Sequence, residues 1–402
     1  MKSLKKLIRG LLSKASPFFL TVLLSLVSSL TVKANDGTYY TKGNQLVPLT
    51  ETSISIRKEV LTIRLMDNGY ARVSVYYEFW NPGAAKRLLM GFEADPPYND
   101  DYMFHPDGRH PNIKDFTVEM NGSRLAYRNA ACVRDTLPLQ PIDTSRQYYV
   151  WDNNALYEVD NDDGNEPVNW ELGIPFSYVY YFDADFQPGL NRVHHTYTYR
   201  MSTVVGTPYV LDYKLTPAGR WAGGMIDDFT LIIRADSTAK HFLVLDTTLG
   251  KADYVVTEGM GKVRPSRLYG EDCREVTLRN GAIQLHVKDF RPMGELGVYG
   301  VGIYECVDKE GVYHFGATYD RSAPVCLWYN LGGEYKVEPA DKAFLRRVAR
   351  NLPYAHRGHV FRDASLRQFF EGQWWYMPDP DYKDSDADFT DTDRQFINAV
   401  FK

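Results

Sequence analysis

Apolar and polar residues alternate with a period of two over much of the chain between residue 35 and about residue 335. The alternation runs through Leu61–Leu65, stops at Asn68-Gly69 and resumes over Val73–Phe79. Asn-Gly supplies the positive φ angles of a two-residue hairpin turn. The pattern therefore predicts a hairpin of two half-buried strands.

The same device recurs twice along the chain. Asn121-Gly122 and Asn280-Gly281 each lie between alternating segments, which predicts two more hairpins. Further strands are expected at 193–201, 209–215, 229–234, 241–246, 297–306 and 311–319. We predict a mainly β, antiparallel, sandwich-like body of two domains, 35–150 and 170–335, separated by a stretch rich in Asp, Asn and Pro.

The periodicity changes to that of helices after about residue 338. Apolar residues from Phe344 to Leu352 fall at helical spacing, with Asp341 as a candidate cap, and Asp363 is placed to cap a second helix. Thr390 and Asp393 form a variant capping box ahead of a third helix. We predict a small α-helical C-terminal domain over 338–402.

This tail carries an ordered run of motifs: FLRRVARNLPYAHRGHVF, then FF, then QWWYMPDP, then TDTDRQFINAV. The run resembles the YARHG domain, a short module of exported bacterial proteins. Two departures stand out: the Arg-His pair of the signature is transposed to His356-Arg357, and Pro353 precedes Tyr354. The resemblance implies an extracytoplasmic location and a small helical fold, and it implies no activity.

The N-terminus has the order of a secretory signal. Basic residues precede an apolar run, Phe18–Val32, and Val32 and Ala34 are small enough for the cleavage site. The run is shorter than the ~20 residues that span a bilayer comfortably. We expect a signal peptide at 1–34 and a periplasmic or secreted mature protein, the alternative being an uncleaved anchor.

The distribution of charge along the chain argues against some classes of binding partner. The first 34 residues hold six Lys or Arg and no Asp or Glu, so the other 368 carry 40 positive against 51 negative charges, a net of −11. A nucleic-acid binder normally has a basic field, so we expect no nucleic-acid partner. Membrane contact is expected only through an uncleaved leader.

Four cysteines fall in the exported part of the chain, where disulfides persist. We predict a Cys306–Cys326 disulfide, because both residues lie in neighbouring predicted strands. The alternative is that the cysteines are buried free thiols.

The tail also segregates its charges, with arginines in its first half and aspartates in its second. An arginine-rich face suits an anionic envelope polymer or a partner's carboxylates, and aromatic side chains can stack on sugars. The alternatives are that the two halves pair with each other and that the aromatic residues form the core. The binding candidates are Arg346, Arg350, Tyr354, His356, Arg357, His359, Trp374, Trp375 and Tyr376.

No common catalytic motif appears in the sequence, and no cofactor is expected. His194 and His195 are adjacent in a predicted strand, so they face opposite sides. The candidate metal ligands are His105, Asp107 and His110, since imidazole and carboxylate suit zinc. The alternative is that these residues lie in an exposed loop.

We therefore expect a non-enzymatic exported protein that binds or scaffolds a cell-envelope component, glycan or protein, through its tail. One alternative is a metal-dependent hydrolase acting on envelope glycan or peptide. The other is a receptor ectodomain, which requires the leader to remain as an anchor.

Overall fold

A computed structural model describes residues 46–48, 53–300, 306–307, 313–314 and 342–394. Gaps within the long ranges fall at 67–68, 95, 97–106, 135–138, 144–145, 147, 152–154, 160–172, 205–206, 237–239, 246–252, 269–270, 384, 386–388 and 390–393. By internal contacts the chain forms two units, Met1–Tyr40 and Thr41–Lys402. All described residues belong to the second unit.

A six-stranded sheet has the order β1-β4-β10-β9-β8, with β7 also paired to β10. Its strands are β1 (Leu46–Pro48), β4 (Lys86–Ala94), β7 (Arg128–Val133), β8 (Tyr148–Trp151), β9 (Ala155–Glu158) and β10 (Ile174–Phe186).

A twelve-stranded sheet has the order β12-β13-β18-β15-β17-β14-β2-β3-β11-β5-β6, with β16 also paired to β17. Its strands are β2 (Ser55–Leu65), β3 (Tyr70–Asn81), β5 (Ile113–Met120), β6 (Ser123–Arg124), β11 (Gly189–Arg200), β12 (Ser202–Val204), β13 (Thr207–Tyr213), β14 (Ile226–Ala235), β15 (Lys240–Leu245), β16 (Val255–Leu268), β17 (Glu271–Phe290) and β18 (Leu296–Gly300). A separate pair joins β19 (Cys306–Val307) to β20 (Tyr313–His314).

Two of the three predicted hairpins are confirmed. β2 pairs antiparallel with β3, with Leu65 opposite Ala71 and Gly69 at φ 78°. β5 turns into β6 at Asn121-Gly122, with φ 50° and 82°. Positive φ at both central residues is the mark of the hairpin turn that Asn-Gly favours.

The third hairpin was predicted wrongly. Asn280 does take a positive φ of 44°, but β17 continues through it, and β16 pairs with β17 on both sides of this point. Opposite it, Gly259 also has a positive φ, and a Cβ there would lie 1.8 Å from the Asn280 carbonyl oxygen. Asn280-Gly281 is therefore a bulge, at which β17 changes its other neighbour from β15 to β14.

The core is built from the facing sides of the two large sheets. On β3 the inward residues Val73, Val75, Tyr77 and Phe79 are fully buried. Phe79 packs edge-on against Phe186 of the smaller sheet at 5.7 Å between ring centroids. The period-two pattern thus places the apolar faces correctly.

Strands from the two predicted β ranges share both sheets. β10 pairs with β4, β11 pairs with β3, and β14 lies parallel to β2. That last pair is parallel, whereas the other pairings described within the sheets are antiparallel. The boundaries 35–150 and 170–335 stay a prediction.

The described part of the tail contains two helices, α1 (Lys342–His356) and α2 (Ala364–Glu371). The Asp363 carboxylate caps α2, accepting from the backbone N–H groups of Ser365 and Leu366, as predicted. Asp341 and most of the predicted third helix lie outside the described residues. The mainly β fold with a small helical C-terminal part is confirmed. Within the described residues, no helix combines the length and apolar content that a membrane crossing requires.

Candidate functional site

The helical tail has its own apolar core. Leu352 and Ala355 of α1 pack with Leu366 and Phe370 of α2, and Trp375 and Tyr376 complete the cluster. The Tyr376 hydroxyl donates to the carbonyl of His359 at 2.6 Å. We call residues 342–394 the tail module.

The end of α1 explains the glycine of the signature. Gly358 has a φ of 89°, its N–H donates to the carbonyl of Ala355, and the N–H of His359 donates to the carbonyl of Tyr354. These two bonds form the Schellman motif, which needs a left-handed residue at this position. Glycine adopts that conformation without the penalty that a Cβ brings.

The transposed pair lies inside the module. The His356 ring packs on Trp375 at 4.6 Å between centroids. Arg357 is buried, donates from Nη1 to the Pro353 carbonyl at 2.9 Å and lies over the Phe389 ring. Both side chains therefore help to hold the module together.

A polar row on the outward face of β17 lies under the module. Its members Glu275, Thr277 and Arg279 are exposed by only 1%, 0% and 2%. They occupy alternate positions, and β15 and β16 flank them, with His241 and Lys262 both opposite Thr277. We call Glu275, Thr277 and Arg279 the polar row.

The Glu275 carboxylate lies between the side chains of His241 and Arg264. His241 Nε2 lies 2.8 Å from Glu275 Oε1, and Arg264 Nε donates to Glu275 Oε2. Burial raises the pKa of the Glu275 carboxyl, but these hydrogen bonds offset the burial, so that pKa is lowered overall. Burial also lowers the pKa of His241, although Glu275 partly opposes this. The carboxylate is therefore ionised and paired with the Arg264 guanidinium at neutral pH.

The module covers this row through its tryptophan segment. Lys262 Nζ donates to the carbonyls of Trp374 and Tyr376, each at 3.0 Å. The guanidinium of Arg264 lies 4.3 Å from the Trp374 ring centroid, a cation–π distance. Sheet cations thus bind both the backbone and a ring of the module.

Arg279 makes the ion pair of the interface. Its Nη2 donates to Asp379 Oδ2 of the module at 3.3 Å. The acidic half of the tail therefore pairs, at this point, with the β body. Periodicity alone gave no sign of it, because alternating polar residues on a strand usually face solvent.

The predicted binding residues differ in exposure. Arg357, Trp375 and Tyr376 are buried; Tyr354, His356, His359 and Trp374 are half-buried; Arg350 is exposed. The helix includes Arg346, whose side chain lies outside the described residues. Arg347, Arg362 and Arg367 are also exposed, and Arg347 pairs with Asp363 at 2.7 Å. Their binding role stays a prediction.

The predicted metal candidates are only partly described, because His105 lies outside. Asp107 forms an ion pair with Arg109 at 2.5 Å. His110 is buried, and its Nδ1 accepts from the N–H of Asn112 at 3.0 Å. No group of three or more His, Cys, Asp or Glu that could hold a metal occurs within the described residues.

The histidine pair of β11 is arranged as predicted. His194 lies on the outer face, with its Nε2 2.8 Å from Ser74 Oγ. His195 is fully buried among the rings of Tyr77, Phe92, Phe116 and Tyr197. The two side chains do not converge on one site.

Two cysteines are buried free thiols: Cys132 and Cys273. Burial, with a smaller contribution from the nearby Glu93 charge, raises the pKa of Cys132 to about 12. Cys326 and the side chain of Cys306 lie outside the described residues, so the disulfide stays a prediction.

Comparison with known proteins gives a family match for the tail. Residues 345–402 match the YARHG domain. No curated protein matches the chain.

Several solved structures resemble the fold. A proposed nutrient binding protein from Legionella pneumophila shares 16% identity, with 90% of this chain and 97% of that one covered and a TM-score of 0.46. The M1 zinc metallopeptidase from Deinococcus radiodurans shares 10% identity over 76% of this chain and 54% of that one, with a TM-score of 0.25. A proposed protease from Parabacteroides distasonis shares 8% identity over 62% and 41%, with a TM-score of 0.25. TM-scores below 0.5 give no basis for assigning an activity.

Proposed function

We propose that this chain is an exported cell-envelope protein of non-enzymatic type, in which the β body carries a YARHG module that binds an anionic envelope component. That component is a glycan or a protein that presents carboxylates or phosphates. The module's exposed arginines bind it, and the polar row fixes the module to the sheet.

The distribution of exposure within the module supports this proposal. Trp375, Tyr376 and Arg357 point into the core, so they are not available as a stacking platform. Arg350, Arg362 and Arg367 remain exposed on and beside the two helices. A guanidinium binds carboxylate and phosphate through two parallel hydrogen bonds, which makes arginine the suitable residue for such a ligand.

The contacts that attach the module to the sheet also link any ligand of the module to the β body. Lys262, Arg264 and Arg279 connect it to β16 and β17 through backbone carbonyls, an indole ring and a carboxylate. A ligand held by the module is therefore held by the whole body. This arrangement suits a scaffold that links an envelope polymer to a large β surface.

Co-sedimentation with isolated cell envelopes tests the binding. The variant Arg362→Glu/Arg367→Glu reverses two exposed charges and should weaken sedimentation about tenfold or more, at 1.4 kcal/mol per factor of ten. Arg124→Glu, an exposed arginine of β6, is the matched control and should sediment like the unmodified protein. Equal sedimentation of all three proteins would contradict the proposed arginine surface.

Export has its own test. Cell fractionation should recover the protein outside the cytoplasm, and N-terminal sequencing of that material should begin at Asn35. Recovery of the intact chain from the cytosol would refute the envelope role, and recovery in the membrane with residues 1–34 retained would favour the anchored ectodomain.

A further inference from the structure

The outer face of the twelve-stranded sheet has a strongly basic end. Arg64 of β2 lies directly opposite Arg72 of β3, and Arg200 of β11 lies opposite Tyr70. Lys114 of β5 donates to the Tyr70 hydroxyl at 2.8 Å. We call Arg64, Arg72, Lys114 and Arg200 the basic end; all four are exposed.

Within the described residues the basic end has more cations than carboxylates. Asp236 pairs with Arg64 at 2.7 Å, Asp115 follows Lys114 in a bulge of β5, and Arg234 of β14, which lies opposite Arg64, pairs with Glu258, which leaves five cations against three carboxylates. Like charges directly opposite on neighbouring strands destabilise a sheet. The Arg64–Arg72 pair is therefore a cost to the fold, and an anionic ligand would relieve it. The pKa of Tyr70 is lowered, first by its hydrogen bond from Lys114 and then by the charges of Lys114 and Arg200.

A ladder of hydroxyl side chains crosses the same face beside the basic end. Thr62, Ser74, Thr196 and Thr117 are cross-strand partners on β2, β3, β11 and β5. At about 4.8 Å between strands, the ladder is about 14 Å long. We call these four residues the hydroxyl ladder.

The ladder keeps hydrogen-bonding capacity. Thr117 and Thr196 share one hydrogen bond at 2.8 Å, and Ser74 pairs with His194 Nε2. Each hydroxyl offers one donor and two acceptor positions, so these bonds do not saturate it. All four side chains are half-buried, and they occupy neighbouring positions on four adjacent strands.

We propose that the basic end and the hydroxyl ladder together bind an acidic polysaccharide. Arg72 and Arg200 pair with its carboxylates, and the ladder exchanges hydrogen bonds with its sugar hydroxyls. This site lies on the β body, so it is distinct from the arginine surface of the tail module and goes beyond the function proposed for that module.

The chemistry favours a polysaccharide over other polyanions. Sugar hydroxyls can both donate to and accept from the hydroxyl groups of the ladder, whereas the phosphate oxygens of a nucleic acid only accept. Ser and Thr are under-represented among the residues that carry the binding energy of protein–protein interfaces, so the hydroxyl ladder suits a sugar better than a protein partner.

Affinity electrophoresis of the purified protein in native gels tests the proposal, with polygalacturonate as the acidic polymer and dextran as the neutral one. We expect retardation by polygalacturonate only. The variant Arg72→Ala/Arg200→Ala should raise the apparent Kd about tenfold or more, and Ser74→Ala/Thr196→Val about threefold or more. Arg124→Ala, an exposed arginine of the same sheet, should leave the Kd unchanged.

Three results would overturn the proposal. The first is no retardation by polygalacturonate relative to dextran. The second is an unchanged Kd in the Arg72→Ala/Arg200→Ala variant with its far-ultraviolet circular dichroism intact. The third is equal binding of linear polyphosphate together with no effect of Ser74→Ala/Thr196→Val, which would reduce the surface to a non-specific charge. These measurements are made in the Arg362→Glu/Arg367→Glu background, in which the module's arginine surface is reversed, so failure of the module's role and failure of this site are separate outcomes.

Discussion

Gly358 lies directly against the guanidinium of Arg279. A Cβ at position 358 would come within 1.7 Å of an Arg279 nitrogen. Arg279 is itself 2% exposed and engaged with Asp379 and with the Met260 sulfur, so it can move only by leaving those partners. The signature glycine is thus required both by its positive φ and by the closeness of the sheet.

The first prediction separates these two requirements. Gly358→Ala should lower the free energy of unfolding by about 3 kcal/mol, because left-handed backbone costs a Cβ-bearing residue about 1–2 kcal/mol and the buried ion pair is disturbed in addition. Gly122→Ala is the matched control, since Gly122 has a φ of 82° and no atom within 4 Å of its would-be Cβ. It should lose about 1 kcal/mol in urea unfolding.

A double-mutant cycle sharpens this result. In the Arg279→Ala background the steric contact is gone, so Gly358→Ala should then cost about as little as Gly122→Ala. Equal costs of Gly358→Ala in both backgrounds would mean that the contact with Arg279 contributes nothing.

The second prediction concerns Lys262, which donates to the carbonyls of Trp374 and Tyr376. Lys262→Met keeps most of the side chain's length but removes both hydrogen bonds, which should destabilise module docking by about 1 kcal/mol. Hydrogen exchange should become faster in residues 374–379 while β2 and β3 stay unchanged. Lys288→Met, on an exposed part of β17, should leave exchange in that segment unaltered.

The third prediction follows from the buried histidine of the core. Burial, with a minor effect of His194, lowers the pKa of His195 from 6.5 to about 3. Below pH 6.5 the unfolded chain binds a proton at this site that the folded chain does not, so stability falls as the pH falls toward about 3. The loss amounts to about 1.4 kcal/mol per pH unit.

His195→Leu should remove this part of the acid sensitivity, as measured by urea unfolding at a series of pH values. Phe92→Leu, which changes a ring packed on His195 but removes no titratable group, should keep the slope of the unmodified protein. If His195→Leu loses stability toward acid as steeply as the unmodified protein, the histidine is not the group that titrates.

The fourth prediction concerns the two buried thiols. The thiolate is the reactive form, and the pKa of Cys132 is raised to about 12, so alkylation of this residue in the folded protein should be very slow. Mass spectrometry after iodoacetamide treatment should find Cys132 and Cys273 unmodified until urea is added. Rapid modification of either residue in native buffer would show that its strand opens readily.

The local sequence pattern was sufficient to predict much of the β body. The alternation around Leu61–Leu65 and Val73–Phe79 gave the β2–β3 hairpin, because one face of each strand is fully buried and a shift of one residue would expose it. The turn at Asn121-Gly122 was predictable because both of its central residues need a positive φ. Asp363 gave the start of α2 through the capping oxygen of its side chain.

The alternation of apolar and polar residues could not predict contacts between segments that are distant in sequence. Asn280-Gly281 has the composition of a turn, yet β16 pairs along both flanks and keeps the chain extended. Glu275, Thr277 and Arg279 alternate like a solvent-facing row, yet they are buried, and Thr277 and Arg279 contact the tail module. Periodicity reports which face of a strand is apolar and packs into the core between the sheets, and it contains no information about a further element that covers the polar face.

The position of β2 has a consequence for how the molecule reaches its native state. One neighbour of β2 follows it immediately in sequence, while the other, β14, comes so much later that Arg57 and its ion-pair partner Asp227 are 170 positions apart. Such high contact order slows folding, since the entropy of closing a long loop must be offset first. Until β14 has been synthesised, the open edge of β2 can pair with another nascent chain. Low concentration or chaperoning during synthesis should therefore favour folding of this chain over association through that edge.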